Sequence, residues 1–88
     1  MDIPPPPAEY AQPYRGPLFE IVLSVPKLNV VCRMLGVDRI GGWISGCAIK
    51  NVWGCVVFLP KVEHQWTQED QDRVRAHELG HCNGWVHP

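Results

Sequence analysis

The feature that most constrains this fold is a strongly marked helix near the end of the chain. Thr67 can accept a hydrogen bond as an N-cap, and Asp70 stands three residues later, as in a capping box. Asn83 and Gly84 both tolerate the left-handed backbone conformation at which helices commonly end. These signals predict a helix from about Gln68 to about Cys82. In a chain of only 88 residues, the rest of the fold must pack around this helix.

The segments before the helix predict a short sheet. Leu18–Val25 is rich in aromatic and β-branched residues and predicts a strand. Residues 27–35 have apolar side chains at helical spacing, although a strand stays open for so short a piece. Trp43–Lys50 and Cys55–Leu59 predict two further strands joined by a turn at Asn51–Gly54, and the second should be buried on both faces. We therefore expect a small α+β domain, zincin-like, with a short sheet or hairpin packed on the C-terminal helix.

Composition divides the chain into an arm and one domain. Prolines crowd residues 1–17, which predicts an extended, polyproline-like arm, and residues 18–88 form the minimal domain. We favour a tail for the arm over the alternative that it docks on an assembly partner. The net charge of -1 gives no basic surface for nucleic acid. Leu18–Cys32, the most apolar early stretch, is too broken to span a membrane.

Four cysteines leave the redox state open. Cys32, Cys47, Cys55 and Cys82 contain no CxxC pair, so a cysteine-based zinc site is not expected. No secretory signal is visible at the start of the sequence, which makes a cytoplasmic location and reduced thiols the default. In an exported protein the even count would permit two disulfides, with the pairing undetermined.

The predicted helix carries a histidine pair suited to metal binding. His77 and His81 lie four residues apart, which places them about 40° apart on one helix face. Glu78 is adjacent and can reach a metal-bound water. Catalytic zinc takes three protein ligands and a water, and His87 is the obvious third ligand once Gly84 ends the helix. The sequence thus predicts Zn²⁺ as the cofactor, with Glu78 as the catalytic residue.

The spacing H-E-x-x-H-x-x-G-x-x-H over residues 77–87 resembles the metzincin metallopeptidases. The resemblance implies His77, His81 and His87 as ligands and Glu78 as general base. It does not extend to the methionine turn of that family, because both methionines lie upstream. Two further segments, Gly46-Cys47-Ala48 and His81–Trp85, are similar to short HExxH proteins of phages and prophages. This similarity implies a mobile-element protein, with a virion-associated location as the alternative to the cytoplasm.

Two functions follow as expectations. The first is a zinc-dependent peptidase that hydrolyses a peptide or protein substrate through a metal-activated water, with Trp43–Ala48 or Cys55–Leu59 pairing with the substrate backbone. The alternative is a zinc-stapled structural component of a phage-like particle, without turnover. Gly80, inside the predicted helix, is expected to allow close packing against the sheet.

Overall fold

The computed structural model describes residues 3–37 and 44–86, which form a three-stranded sheet with one helix on each face. The α+β prediction is confirmed. Within the described residues, no helix is both long and apolar enough to cross a membrane. The elements follow in chain order: a 3₁₀ turn at Ala8–Tyr10, β1 at Leu18–Leu23, α1 at Val25–Met34, β2 at Cys47–Asn51, β3 at Gly54–Pro60 and α2 at Gln68–Cys82.

The sheet has β3 at its centre, in the order β1-β3-β2. β1 runs parallel to β3, with Leu18 opposite Cys55, and α1 provides the crossover that a parallel connection needs. β2 runs antiparallel to β3, with Asn51 opposite Gly54, which confirms the predicted hairpin and its turn. Gly54 takes a positive φ of 155° and lies directly against the backbone of Pro17, so no side chain fits there.

The central strand is buried on both faces, as its apolar sequence predicted. Alternate residues of β3 point to opposite sides, which creates two small cores. The core under α1 consists of Leu28, Cys32, Ile44, Cys47 and Phe58. The core under α2 consists of Cys55, Val57, Leu59, Val74 and Cys82.

Each core contains one disulfide, so the expectation of reduced thiols is wrong. Cys32–Cys47 ties α1 to β2, and Cys55–Cys82 ties the central strand to the end of α2. The two bonds close loops with sequence separations of 15 and 27 residues. Cross-links of this span each stabilise a small domain by roughly 3 kcal/mol, which offsets the thinness of the two cores.

Helix α1 is correctly predicted as a helix, but it begins at Val25. Pro26 lies in its first turn, where the missing N–H costs nothing because that donor has no intrahelical partner. Asn29 is buried in this helix and forms two hydrogen bonds with the backbone of Ile44, donating at 2.9 Å and accepting at 2.7 Å. The chain that enters β2 is therefore fixed to α1. Residues 38–43 lie outside the described residues. They include the expected Gly41-Gly42 loop and the start of the predicted Trp43–Lys50 strand.

Helix α2 has the bounds that its capping signals predicted. Thr67 Oγ1 accepts from the amide of Asp70 at 3.1 Å, and the Asp70 carboxylate accepts from the amide of Thr67 at 3.0 Å. These hydrogen bonds to Thr67 lower the pKa of Asp70. Gln71 donates to the carbonyl of Pro60 at 2.9 Å, which joins the first turns of α2 to the end of β3.

The proline-rich arm packs on its own domain. Ile3 and Tyr14 pack against the core under α2. The side-chain amide of Asn83 donates to the carbonyls of Tyr10 at 3.0 Å and Gln12 at 2.6 Å. The tail interpretation does not fit these contacts. The division of the chain between residues 17 and 18 stays a prediction.

Candidate functional site

Helix α2 brings His77, Glu78 and His81 together, as their spacing predicted. The two imidazole rings lie one turn apart, with centroids 4.8 Å apart and planes at 79°. His77 is 8% exposed and Glu78 is 5% exposed, whereas His81 is only partly covered. Ligands or substrates would therefore reach this cluster from the His81 side.

Glu78 points from the helix toward the sheet. A Cβ atom built on Gly46 would lie 3.3 Å from Oε2 of Glu78, so the carboxyl lies beside the backbone that leads into β2. Burial raises the pKa of Glu78 from the ordinary 4.5 to about 8. At neutral pH most of this carboxyl is protonated, and it ionises within about a unit of physiological pH.

The chain turns back after α2 and places Trp85 on the histidines. Gly84 takes a φ of 100°, and the amide of Trp85 donates to the carbonyl of Gly80 at 3.0 Å. The indole stacks on the ring of His81 at 5.0 Å and 11°, and meets the edge of His77 at 4.9 Å. The Trp85 carbonyl also accepts a hydrogen bond from Nδ1 of His81 at 2.7 Å.

The arm contacts the same cluster from another side. Nδ1 of His77 lies 2.7 Å from the carbonyl oxygen of Pro4, which can only accept a hydrogen bond. Pro6 covers Gly80, where a Cβ atom would lie 2.6 Å from Cβ of Pro6 and 3.0 Å from the Trp85 ring. Gly80 thus allows close approach of the arm and Trp85. The expectation that it packs against the sheet is wrong.

The prediction of a zinc site is wrong. Residues 3–37 and 44–86 contain no group of three or more His, Cys, Asp or Glu side chains placed to hold a metal ion. His77 and His81 supply at most two of the three protein ligands that catalytic zinc takes. The third expected ligand, His87, lies outside the described residues. All four cysteines are joined in disulfides and have no thiolate to offer a metal.

The assignments that depended on zinc are wrong for the same reason. The metzincin resemblance, the similarity to phage HExxH proteins and the metalloprotease assignment each required a metal held by this helix. The structure instead has a small disulfide-stabilised domain in which Glu78 is buried on the same helix as the two histidines. Any helical HExxH segment places its two histidines on one face, whether or not a metal is bound.

The groups that surround the cluster are not apparent from the sequence. Pro4 and Trp85 contribute backbone carbonyls, which no side-chain pattern reveals. Gly46 contributes only space, which a methyl group of Val74, the carbonyl of Phe58 and the carboxyl of Glu78 border. The proline run is the one sequence feature that could have indicated the contact of the arm with the histidines. A polyproline segment has no internal hydrogen bonds, so its carbonyls can accept from other groups.

The chain was compared with protein-family models, with curated proteins and with solved structures. None of the three comparisons gives a significant match.

Proposed function

We propose that the chain is a small hydrolase that cleaves the peptide bond of an extended substrate, with Glu78 moving the proton. The observation that carries the proposal is the burial of Glu78, which is 5% exposed and follows His77 directly on the helix that also holds the His77–His81 ring pair. This burial raises the pKa of Glu78 to about 8. An acid–base group is most effective when its pKa lies near the working pH. A shifted pKa in a cluster of titratable groups is a common sign of an active site.

The chemistry requires one proton to move twice. Ionised Glu78 accepts a proton from a water molecule while the water oxygen attacks the carbonyl carbon of the substrate. The resulting carboxylic acid of Glu78 then donates that proton to the leaving nitrogen as the C–N bond breaks. The products are a carboxylic acid and an amine, and Glu78 is again ionised.

The histidines supply the remaining polar groups. His81 is the more accessible of the two, and its ring is held against Trp85. A protonated imidazole can donate to the oxyanion that develops on the carbonyl oxygen, and a neutral one can hold the attacking water. Groups held in fixed positions lower the barrier because they need no reorganisation during the reaction.

An edge strand beside Glu78 favours an extended peptide as the substrate. Among the described residues β2 pairs with β3 alone, so its other edge has backbone groups that a peptide strand can join. Gly46 immediately precedes β2 and lies next to the Glu78 carboxyl. Cys55–Leu59, the other expected substrate strand, lies within β3 and is paired on both sides.

The test compares the wild type with Glu78→Gln, which keeps the shape of the side chain but removes the base. Glu69→Gln on the exposed face of α2 is the matched control. A mixed peptide library and an activated ester are incubated with each protein from pH 5 to pH 9, with a chelator present throughout.

We expect the wild type and the Glu69→Gln control to cleave, with a rate that rises toward pH 8. Glu78→Gln should lose at least about a hundredfold in rate. Equal rates in all three proteins would contradict the role of Glu78. Absence of cleavage of both substrates by all three proteins would overturn the proposed function.

A further inference from the structure

We infer that the N-terminal arm positions the histidine cluster. The backbone carbonyl of Pro4, in the arm, holds the ring of His77 in its Nδ1–H tautomer. The carbonyl oxygen can only accept, so the hydrogen in the 2.7 Å contact must be on Nδ1 of His77. In a neutral imidazole the lone pair is then on Nε2.

The second histidine is held in the same way by the other end of the described chain. Nδ1 of His81 donates to the carbonyl of Trp85 at 2.7 Å. Two backbone carbonyls, one in the arm and one in the turn after α2, therefore give both rings the same tautomer.

The arm contacts α2 at two points and its C-cap residue at a third, and the three positions lie along one stripe. Pro4 meets His77, Pro6 covers Gly80, and Asn83 donates to two carbonyls of the arm. The three helix positions are separated by three residues each, which places them on neighbouring turns over about 9 Å of helix. The arm thus follows the helix and is fixed at both ends of this stripe.

The proline run explains how so short a segment can position a side chain. Proline fixes φ near -65°, so little conformational entropy remains to be lost when the arm docks. Polyproline backbone forms no internal hydrogen bonds, so the carbonyl of Pro4 is available to an outside donor. A flexible arm with the same contacts would hold His77 less firmly.

The test uses two full-length variants that loosen the arm at different points. Asn83→Ala removes the donor to Tyr10 and Gln12 and leaves Trp85 in place. Gly80→Ala places a methyl group against Pro6 and, less closely, against the ring of Trp85. Arg73→Ala on the exposed face of α2 is the control. Long-range ¹H–¹⁵N NMR spectra report the tautomer of His77, and the methyl signals of Leu59 and Val74 report whether the core is intact.

We expect one Nδ1–H tautomer of His77 in the wild type and in Arg73→Ala. Both arm variants should show a mixture of tautomers while the core signals stay in place. An Nε2–H tautomer in the wild type would overturn the inference, as would an unchanged His77 in both arm variants.

The consequence for activity rests on the proposed function, and the two can fail separately. If the wild type cleaves peptides, the arm variants should lose about tenfold in kcat with little change in KM, because the ring is displaced and the substrate strand is not. If the tautomer changes as expected and no protein cleaves, the proposed function fails and the positioning role of Pro4 stands.

Discussion

Gly46 and Glu78 meet where the sheet faces α2, and the missing side chain of one leaves room for the carboxyl of the other. A Cβ atom on Gly46 would lie 3.3 Å from Oε2 of Glu78, 2.9 Å from the carbonyl of Phe58 and 2.5 Å from a methyl group of Val74. The site and the core therefore share one tightly filled junction.

Gly46→Ala should destabilise the domain by about 1 to 3 kcal/mol, because the added methyl group overlaps both backbone and side-chain atoms. Chemical denaturation of the oxidised protein measures this loss. Ser45→Ala, one residue earlier in the chain, is the control and should change stability by less than about 0.5 kcal/mol. Equal stability of the two variants would show that the junction has room to spare.

Glu78 should make the domain less stable as pH rises. Its pKa is about 8 in the folded state and 4.5 when unperturbed, so between these values the unfolded chain releases the proton first. The unfolding free energy should fall across this interval by roughly a few kcal/mol and level off above pH 8. Glu78→Gln cannot ionise and should lack this slope. Parallel pH profiles for the two proteins would refute the raised pKa.

Asn29→Ala should cost about 2 to 3 kcal/mol, because it leaves the amide and carbonyl of Ile44 without their side-chain partner in a buried place. The control is Asn51→Ala in the exposed β2–β3 turn, where the side chain accepts one hydrogen bond from Trp53. That variant should lose less than 1 kcal/mol. Similar losses in both would mean that the buried hydrogen bonds add little.

Removal of either disulfide should lower stability by about 3 kcal/mol, with the larger effect for Cys55–Cys82, which closes the longer loop. Paired Cys→Ser variants and thermal unfolding measure each bond separately. Loss of both should leave the domain largely unfolded at 37 °C, since two thin cores give little other stability. A fully reduced protein that unfolds at the same temperature as the oxidised one would contradict this.

The parts of the fold set by neighbouring residues were predictable. Helix α2 has its cap, its acidic first turn and its stop within a single segment, so its bounds followed directly. The β2–β3 hairpin is also local. The parallel pairing of β1 with β3 was not predictable, because it joins strands far apart in sequence and no residue pattern specifies the order of strands.

The site was predictable only in the residues that share the helix. His77, Glu78 and His81 are fixed relative to one another by helical spacing. A metal site needs a further donor brought in by tertiary structure, and spacing alone led to the wrong prediction. The contact of His77 with the arm joins residues 73 positions apart. Its acceptor is a backbone carbonyl, which every residue has, so no sequence pattern indicates the contact.

Everything proposed for the site depends on Glu78 being a buried carboxyl that can exchange a proton near neutral pH. The direct measurement is an NMR titration of the Glu78 side-chain carboxyl carbon in the oxidised full-length protein, from pH 3 to pH 10. We expect a single transition near pH 8 that is absent in Glu78→Gln. A transition near the ordinary value of 4.5 would contradict it, because such a carboxyl would be solvated and already ionised at neutral pH.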